Sequence, residues 1–423
     1  MEANVFVVAL AVLGFGLLAG RLQGTPITLP MVFTTAGILL GPGILGIVNF
    51  DVENETVSIL AEATLVVVLF TDASRMELRA VWKEHDLALR LLGFGLPLAL
   101  LIGTGAGWLL LPELSLGAVA LLAATLAPTD AALGQAFVSN DAVPKRIRQT
   151  LNVESGLNDG LAVPFITVLL DVARHETGSF GGYVALFIAL VGIGMAVGAL
   201  TGWLGGRVLE WSAGHEWTTD TTQRLTTISL AAIAYAGAEL LGGNGFVAAF
   251  TAGLAVGTSA RSLLPRTTGF AEAEGQLLTL ITFLLFGSFM AIDIFADITW
   301  QTLFYALVSL LLVRPIAVVI SLWGSGLAPA SIGFIGWAGP RGLASIVYAV
   351  LIAEATDVPG AEVVFAVAAW TILLSIYLHG VSAAPLSARY GQYITRTQHH
   401  SAPEHQATLS FPTTLPAQSK LKK

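Results

Sequence analysis

The chain has 423 residues, 55% hydrophobic and 11% charged, with a formal net charge of −8. Soluble domains carry about 25% charged residues, so a water-soluble globular enzyme is excluded. No cysteine is present, which excludes disulfides and thiolate chemistry, and no nucleic-acid partner is expected.

Apolar runs long enough to cross a bilayer recur along most of the length. They predict an all-α polytopic membrane protein of about 13 transmembrane helices. The spans run near 4–20, 27–49, 56–73, 88–111, 116–139, 148–173, 182–206, 222–241, 244–260, 274–292, 299–323, 328–353 and 361–386. Met1-Glu2-Ala3 lacks a basic n-region, so the first run reads as a retained span, not a cleaved signal. The transmembrane region is expected over 1–387. The polar segment 388–423, with Pro and no pattern, is expected to be a disordered cytoplasmic tail. His399, His400 and His405 in it read as solvated histidines in preference to a metal site. No Gly-rich phosphate loop is present, so ATP-driven transport is not expected, and neither is a cofactor.

Loop charge sets the orientation. The odd-numbered loops hold 12 basic residues, from Arg21 to Arg266, and the even-numbered loops hold only Arg174. By the positive-inside rule the odd loops and the C-terminus are cytoplasmic and the N-terminus outside. Five more basic residues lie in the tail, and the last two, Arg314 and Arg341, fall inside spans.

Span 3 carries Glu62 and, near its end, Asp72. Span 5 is interrupted at "TLAPTDAALG", with Pro128, Thr129 and Asp130 together. Span 6, "LNVESGLNDGLAVPF", places Glu154, Ser155, Asn158 and Asp159 within about 140° of one helix face. Span 8 carries Glu239, and span 9, "FVAAFTAGLAVG", has small residues at the spacing of close helix contact. Arg314 lies in span 11, and span 12 breaks at "GWAGPRGLAS" with Pro340 and Arg341.

Breaks in spans 5 and 12 point to inverted repeats, spans 1–6 and 8–13 around span 7. Unwound backbone at membrane depth survives only where it lines a cavity or is buried in protein. Two crossed broken helices bring together two positive and two negative helix ends. Asp130 suits the positive ends and Arg341 the negative ones. The alternative is a pair of ordinary proline kinks with incidental charges.

Ionisable residues within spans are costly and default to function. Oxygen ligands suit a hard cation such as Na⁺. A hydroxyl and carboxylates of span 6, with carbonyls freed at Thr129, make such a site. Burial makes the charged carboxyl costly, so a proton and a cation compete for one Asp. Asp159 is the leading carrier. Ser155 is either a ligand or bonded back to its own helix. Glu154 is either a ligand or an ion-pair partner, with Arg314 as the expected mate. Arg341 is expected to pair with Asp72, with Asn158 nearby as a hydrogen-bond strut.

"APTDAALG" followed by "RIRQTLNVESGLNDGLAVPF", with "LLVRPIAV" and "GWAGPRGLAS", resembles the monovalent cation/proton antiporters. The likeness is to the NhaP-like branch, which includes the eukaryotic Na⁺/H⁺ exchangers. It covers about residues 4–386. The resemblance implies a homodimer of 13-span protomers in the plasma membrane, a transporter and not an enzyme. It implies an ion, Na⁺, bound by Asp159, Asp130, Glu154, Ser155 and the Thr129 backbone, with Arg314, Arg341, Asn158 and Asp72 in support. In relatives the residue matching Asp72 is often Glu. The sister branch has two adjacent aspartates and moves more protons than cations. Asn158 cannot take up a proton, so the expectation is electroneutral exchange of one Na⁺ (or Li⁺) per H⁺. K⁺/H⁺ exchange at the same residues is the alternative. An intramembrane aspartyl protease would need neither the two arginines nor the matched breaks, and a passive channel would not show saturable, counter-ion-dependent flux.

Overall fold

Short polar residues open the helices of this chain. In the computed structural model, Thr28, Ser115, Ser179, Asn244 and Thr299 each precede a helix and accept a backbone N–H from its first turn. Each satisfies a donor that the helix itself leaves unpaired. The structure describes residues 9–10, 12–14, 17, 25–47, 55–76, 86–130, 133–174, 179–262, 264–290, 299–355, 357–397 and 403–405.

The helices are α1 (Leu29–Leu40), α2 (Glu55–Ser74), α3 (Asp86–Leu110), α4 (Leu116–Thr125), α5 (Gln135–Ser139), α6 (Lys145–Arg174) and α7 (Phe180–Gly214). They continue with α8 (Asp220–Leu240), α9 (Gly245–Ser259), α10 (Leu264–Met290), α11 (Trp300–Ser321), α12 (Pro329–Trp337), α13 (Leu343–Glu354) and α14 (Ala361–Thr397). No strand occurs among the described residues. Helices α3, α6, α7, α11 and α14 are long and apolar enough to cross a membrane. Span 1, over 4–20, lies largely outside the described residues, as do His399 and His400. Every other predicted span meets one helix, or in two cases a broken pair.

The long helix α7 is held by close approach. A Cβ on Gly194, Gly198 or Gly202 would collide with the backbone oxygens of Asn244, Ala248 and Ala252 in turn. This four-residue rhythm lets two helix backbones touch, the packing that replaces hydrophobic burial between membrane helices. On its other side α9 meets α2, where a Cβ on Gly253 or Gly257 would strike the carbonyls of Phe70 and Ser74. The small-residue pattern read in span 9 is thus a helix contact.

Spans 5 and 12 are both broken. Backbone without helix separates α4 from α5 and α12 from α13. The breaks touch, with the Asp130 N–H donating to Pro340 O at 2.8 Å. A second matched pair, of π-helical segments, accompanies the breaks. Helix α3 contains a π-helical segment, Leu91–Gly95, and α11 contains another, Ser309–Val313. These lie in spans 4 and 11, counterparts under the expected repeat. Each stands just before a proline, Pro97 or Pro315. A proline removes the N–H owed to the preceding turn, and a widened turn is one way the helix absorbs the loss.

The tail departs from expectation. Helix α14 continues through the Ala388 boundary to Thr397, because Tyr390 and Ile394 are buried. Beyond it, Pro403–His405 forms a short 3₁₀ turn against the body. Glu404 is fully buried and accepts from the Ala328 N–H and the Ser331 hydroxyl, each at 2.8 Å. Arg146 donates to Pro403 O at 2.7 Å and also pairs with Asp86 at 2.8 Å. Ala328 cannot cap α12 with its own side chain, so Glu404 supplies that cap from the far end of the sequence.

Candidate ion-binding site

The first break is fixed by α6. Asn158 spans Thr129: its Nδ2 donates to Thr129 Oγ1 at 2.7 Å, and its Oδ1 accepts the Thr129 N–H at 3.3 Å. Ser155 donates from Oγ to Thr129 O at 2.5 Å, so its hydroxyl does not bond back to its own helix. The face read from the 3.6-residue period therefore meets the unwound backbone directly, and Asn158 is a strut.

Asp130 closes the crossing. Its Oδ2 accepts the Leu343 N–H at 2.9 Å, and its Oδ1 accepts the Leu133 N–H at 3.2 Å. Leu343 opens α13, and Gly342 before it offers no side-chain cap. One carboxylate thus accepts the first N–H of α13, as a positive helix end requires, and an N–H of the turn just before α5. Gly342 is needed for closeness, since a Cβ there would collide with the Asp130 side chain.

Glu154 and Arg314 form a bidentate pair, with both Nη–Oε distances 2.9 Å and both residues buried. Both carboxylate oxygens are engaged in this pair, so in this geometry Glu154 anchors Arg314. The π segment ends immediately before Arg314.

Arg341 is 1% exposed. Its Nη1 donates to Gly339 O at 3.0 Å, just past the end of α12, and its backbone N–H donates to Ser375 Oγ at 2.7 Å. The guanidinium thus offsets the negative end of α12 and does not take Asp72 as its partner. The reason is placement. Arg341 shares a small cavity with Glu154, Asn158 and Arg314, between the π segment of α3 and the start of Arg314–Ser321. Asp72 does not line that cavity.

Asp159 differs from Asp130 and Glu154. Its Oδ1 is buried and has no hydrogen-bond partner. Its backbone carbonyl accepts from the Tyr348 hydroxyl at 3.0 Å. Among the described residues no three His, Asp or Glu side chains converge as a metal cluster. The Ser155 hydroxyl and the Thr129 carbonyl bond each other at the break. The lesser carboxylates have ordinary partners. Glu62 accepts from the Tyr235 hydroxyl at 3.1 Å, and Glu239 accepts the Gly245 N–H at 2.7 Å, at the start of α9.

Sequence reasoning missed the π segments, although Pro97 and Pro315 signal them. It also missed Tyr348, Ser375 and His379, which are polar residues in otherwise apolar helices and differ from solvated ones only by their contacts.

The model of the sodium/hydrogen exchanger transmembrane family matches residues 6–389. A K(+)/H(+) antiporter NhaP2 of Shewanella baltica is 28% identical over 364 residues, covering 85% of this chain and 61% of its own length. The Na(+)/H(+) antiporter NhaG of Bacillus atrophaeus is 25% identical over 404 residues, covering 92% and 75%. The chain thus spans about three fifths of the length of the NhaP2 relatives it matches. Its fold is that of the sodium proton antiporter MjNhaP1 of Methanocaldococcus jannaschii at pH 8, with a TM-score of 0.76 and 23% identity over 89% of this chain and 98% of that one. With a family match across both broken helices, this chain belongs to the sodium/hydrogen exchanger transmembrane family.

Proposed function

We propose that the chain is a membrane cation/proton antiporter exchanging one Na⁺ (or Li⁺) for one H⁺ at Asp159. The observation that carries this is the buried Asp159 Oδ1 without a partner. An unpaired charge in a low-dielectric interior costs several kcal/mol. One proton or one monovalent cation removes that charge equally well, and the two exclude each other. Alternating exposure of the site to the two sides then couples their movements.

Asp130 and the Thr129 and Ser155 oxygens complete the cation site, and Glu154 with Arg314 frames it. Asn158 holds the break and takes no proton, which supports a one-for-one exchange without net charge movement. The site works in a plasma-membrane homodimer with its C-terminal side in the cytoplasm.

Relatives named for K⁺ and for Na⁺ favour keeping K⁺/H⁺ exchange as the second reading. Cation-dependent dequenching of a pH dye in proteoliposomes tests both, run with Na⁺, Li⁺ and K⁺ on wild type and Asp159→Asn. Loss of all responses in the variant is expected. A K⁺-only response would favour the second reading. A membrane potential built by ΔpH-driven flux would refute one-for-one exchange, and flux that does not saturate would indicate a channel.

A further inference from the structure

The second break is gripped from one side by a single helix. Ser375, His379 and Ser382 follow at four- and three-residue steps and so share one face of α14. Each reaches a flank of the break between α12 and α13. Trp337, the last residue of α12, donates from Nε1 to Ser382 Oγ at 2.9 Å. Its indole stacks on the His379 imidazole, 4.5 Å between centroids and 24° between planes. His379 Nδ1 lies 3.0 Å from Ser375 O and 3.1 Å from Ser375 Oγ. A carbonyl only accepts, so the contact with Ser375 O calls for a proton on Nδ1. Ser375 Oγ also receives the Arg341 N–H at 2.7 Å, on the other flank. Ser375 and His379 are 0% and 2% exposed, so water cannot replace these bonds.

Two residues past Arg341, the Leu343 N–H donates to Asp130, and Pro340 O receives the Asp130 N–H. The backbone that α14 grips is therefore the backbone that orients Asp130. We propose that Ser375, His379 and Ser382 are positioning residues of the exchange site: α14 fixes the second break, and the break aims its N–H at Asp130. This rests on the reading of Asp130 and Asp159 as the exchange site. Side-chain hydroxyls and an imidazole suit the task, because a break has freed its own backbone donors and acceptors and cannot fix its geometry alone.

The test uses the full chain in proteoliposomes, with whichever of Na⁺, Li⁺ and K⁺ gives the largest dequenching in wild type. Ser375→Ala and His379→Phe, the latter keeping the stack but losing the donor, are expected to raise the apparent KM for the cation about three- to tenfold. Vmax is expected to stay within about twofold. Their double variant is expected to show no more than the larger single effect, since both act through Arg341 N–H. His379→Asn restores a donor near Nδ1 and is expected to return KM to near wild type, and Ser375→Thr likewise keeps the acceptor. An unchanged KM in both Ser375→Ala and His379→Phe overturns the proposal. So does a parallel fall of Vmax and melting temperature that Asn does not rescue, which marks a merely structural role. Asp159→Asn separates the two readings. If it still exchanges while Ser375→Ala raises KM, the assignment of the carrier fails and the grip stands. If it is inactive while KM in the α14 variants is unmoved, the grip alone fails.

Discussion

Glu154 and Asp159 stand five residues apart on α6, both carboxylates at membrane depth, and their surroundings are opposite. Glu154 has both oxygens in a bidentate pair with Arg314. Asp159 has a buried oxygen, Oδ1, with no hydrogen-bond partner. The fully paired group gives fixed geometry. The unpaired group is left with a charge that something mobile must neutralise. Residue type says nothing about which is which, and the difference comes wholly from what the neighbouring spans bring.

The sharpest way to break this contrast is Asp159→Asn. Exchange should vanish in the proteoliposome assay while the detergent-solubilised protein keeps its wild-type elution volume and melting transition. Full activity would place the carrier elsewhere. In wild type, competition between one proton and one cation predicts a slope. Below the pH at which Asp159 titrates, each unit of acidification should raise the apparent KM for the cation about tenfold, and a flat profile would deny a shared site.

Glu154→Ala should act in the other currency. It strands a buried guanidinium, and the loss is expected at about 3–5 kcal/mol of stability, seen as lower folded yield and melting temperature. Glu154→Ala with Arg314→Met should regain much of it. If Glu154→Ala instead left stability intact and removed only cation binding, Glu154 would be a ligand after all. Asn158→Ala removes two bonds to Thr129. About 1–3 kcal/mol is expected, divided between stability and cation affinity and measured by melting with and without cation. The smallest effect is expected far from the contrast, at the tail. Glu404→Ala should cost about 1 kcal/mol as a lost cap, read in the melting transition with the KM for the cation unchanged.

Much of this was legible beforehand for physical reasons. Spans show because a bilayer demands long apolar runs, and breaks show because Pro and a charge are out of place there. The face of α6 follows from helical period alone, and Arg314 had to find a carboxylate within reach. What stayed hidden depends on distances between spans. Arg341 had two plausible kinds of partner, a carboxylate or a helix end, and only packing decides for the Gly339 carbonyl. Ser375 and His379 are single polar residues on a helix that reads as lipid-facing or packed with equal ease. Glu404 lies in a segment whose composition argues against any structure, yet one carboxylate meets one open helix end.

That contact ties the order of synthesis to the finished fold. Ala328 and Glu404 are 76 positions apart in the chain. The Ala328 N–H and the Ser331 hydroxyl at the start of α12 must therefore wait for this acceptor while α13 and α14 are made. A fusion or affinity tag joined directly after Thr397 would leave the first half of the broken helix permanently in that unfinished condition, so such products report on a nascent form of the protein as much as on the mature one.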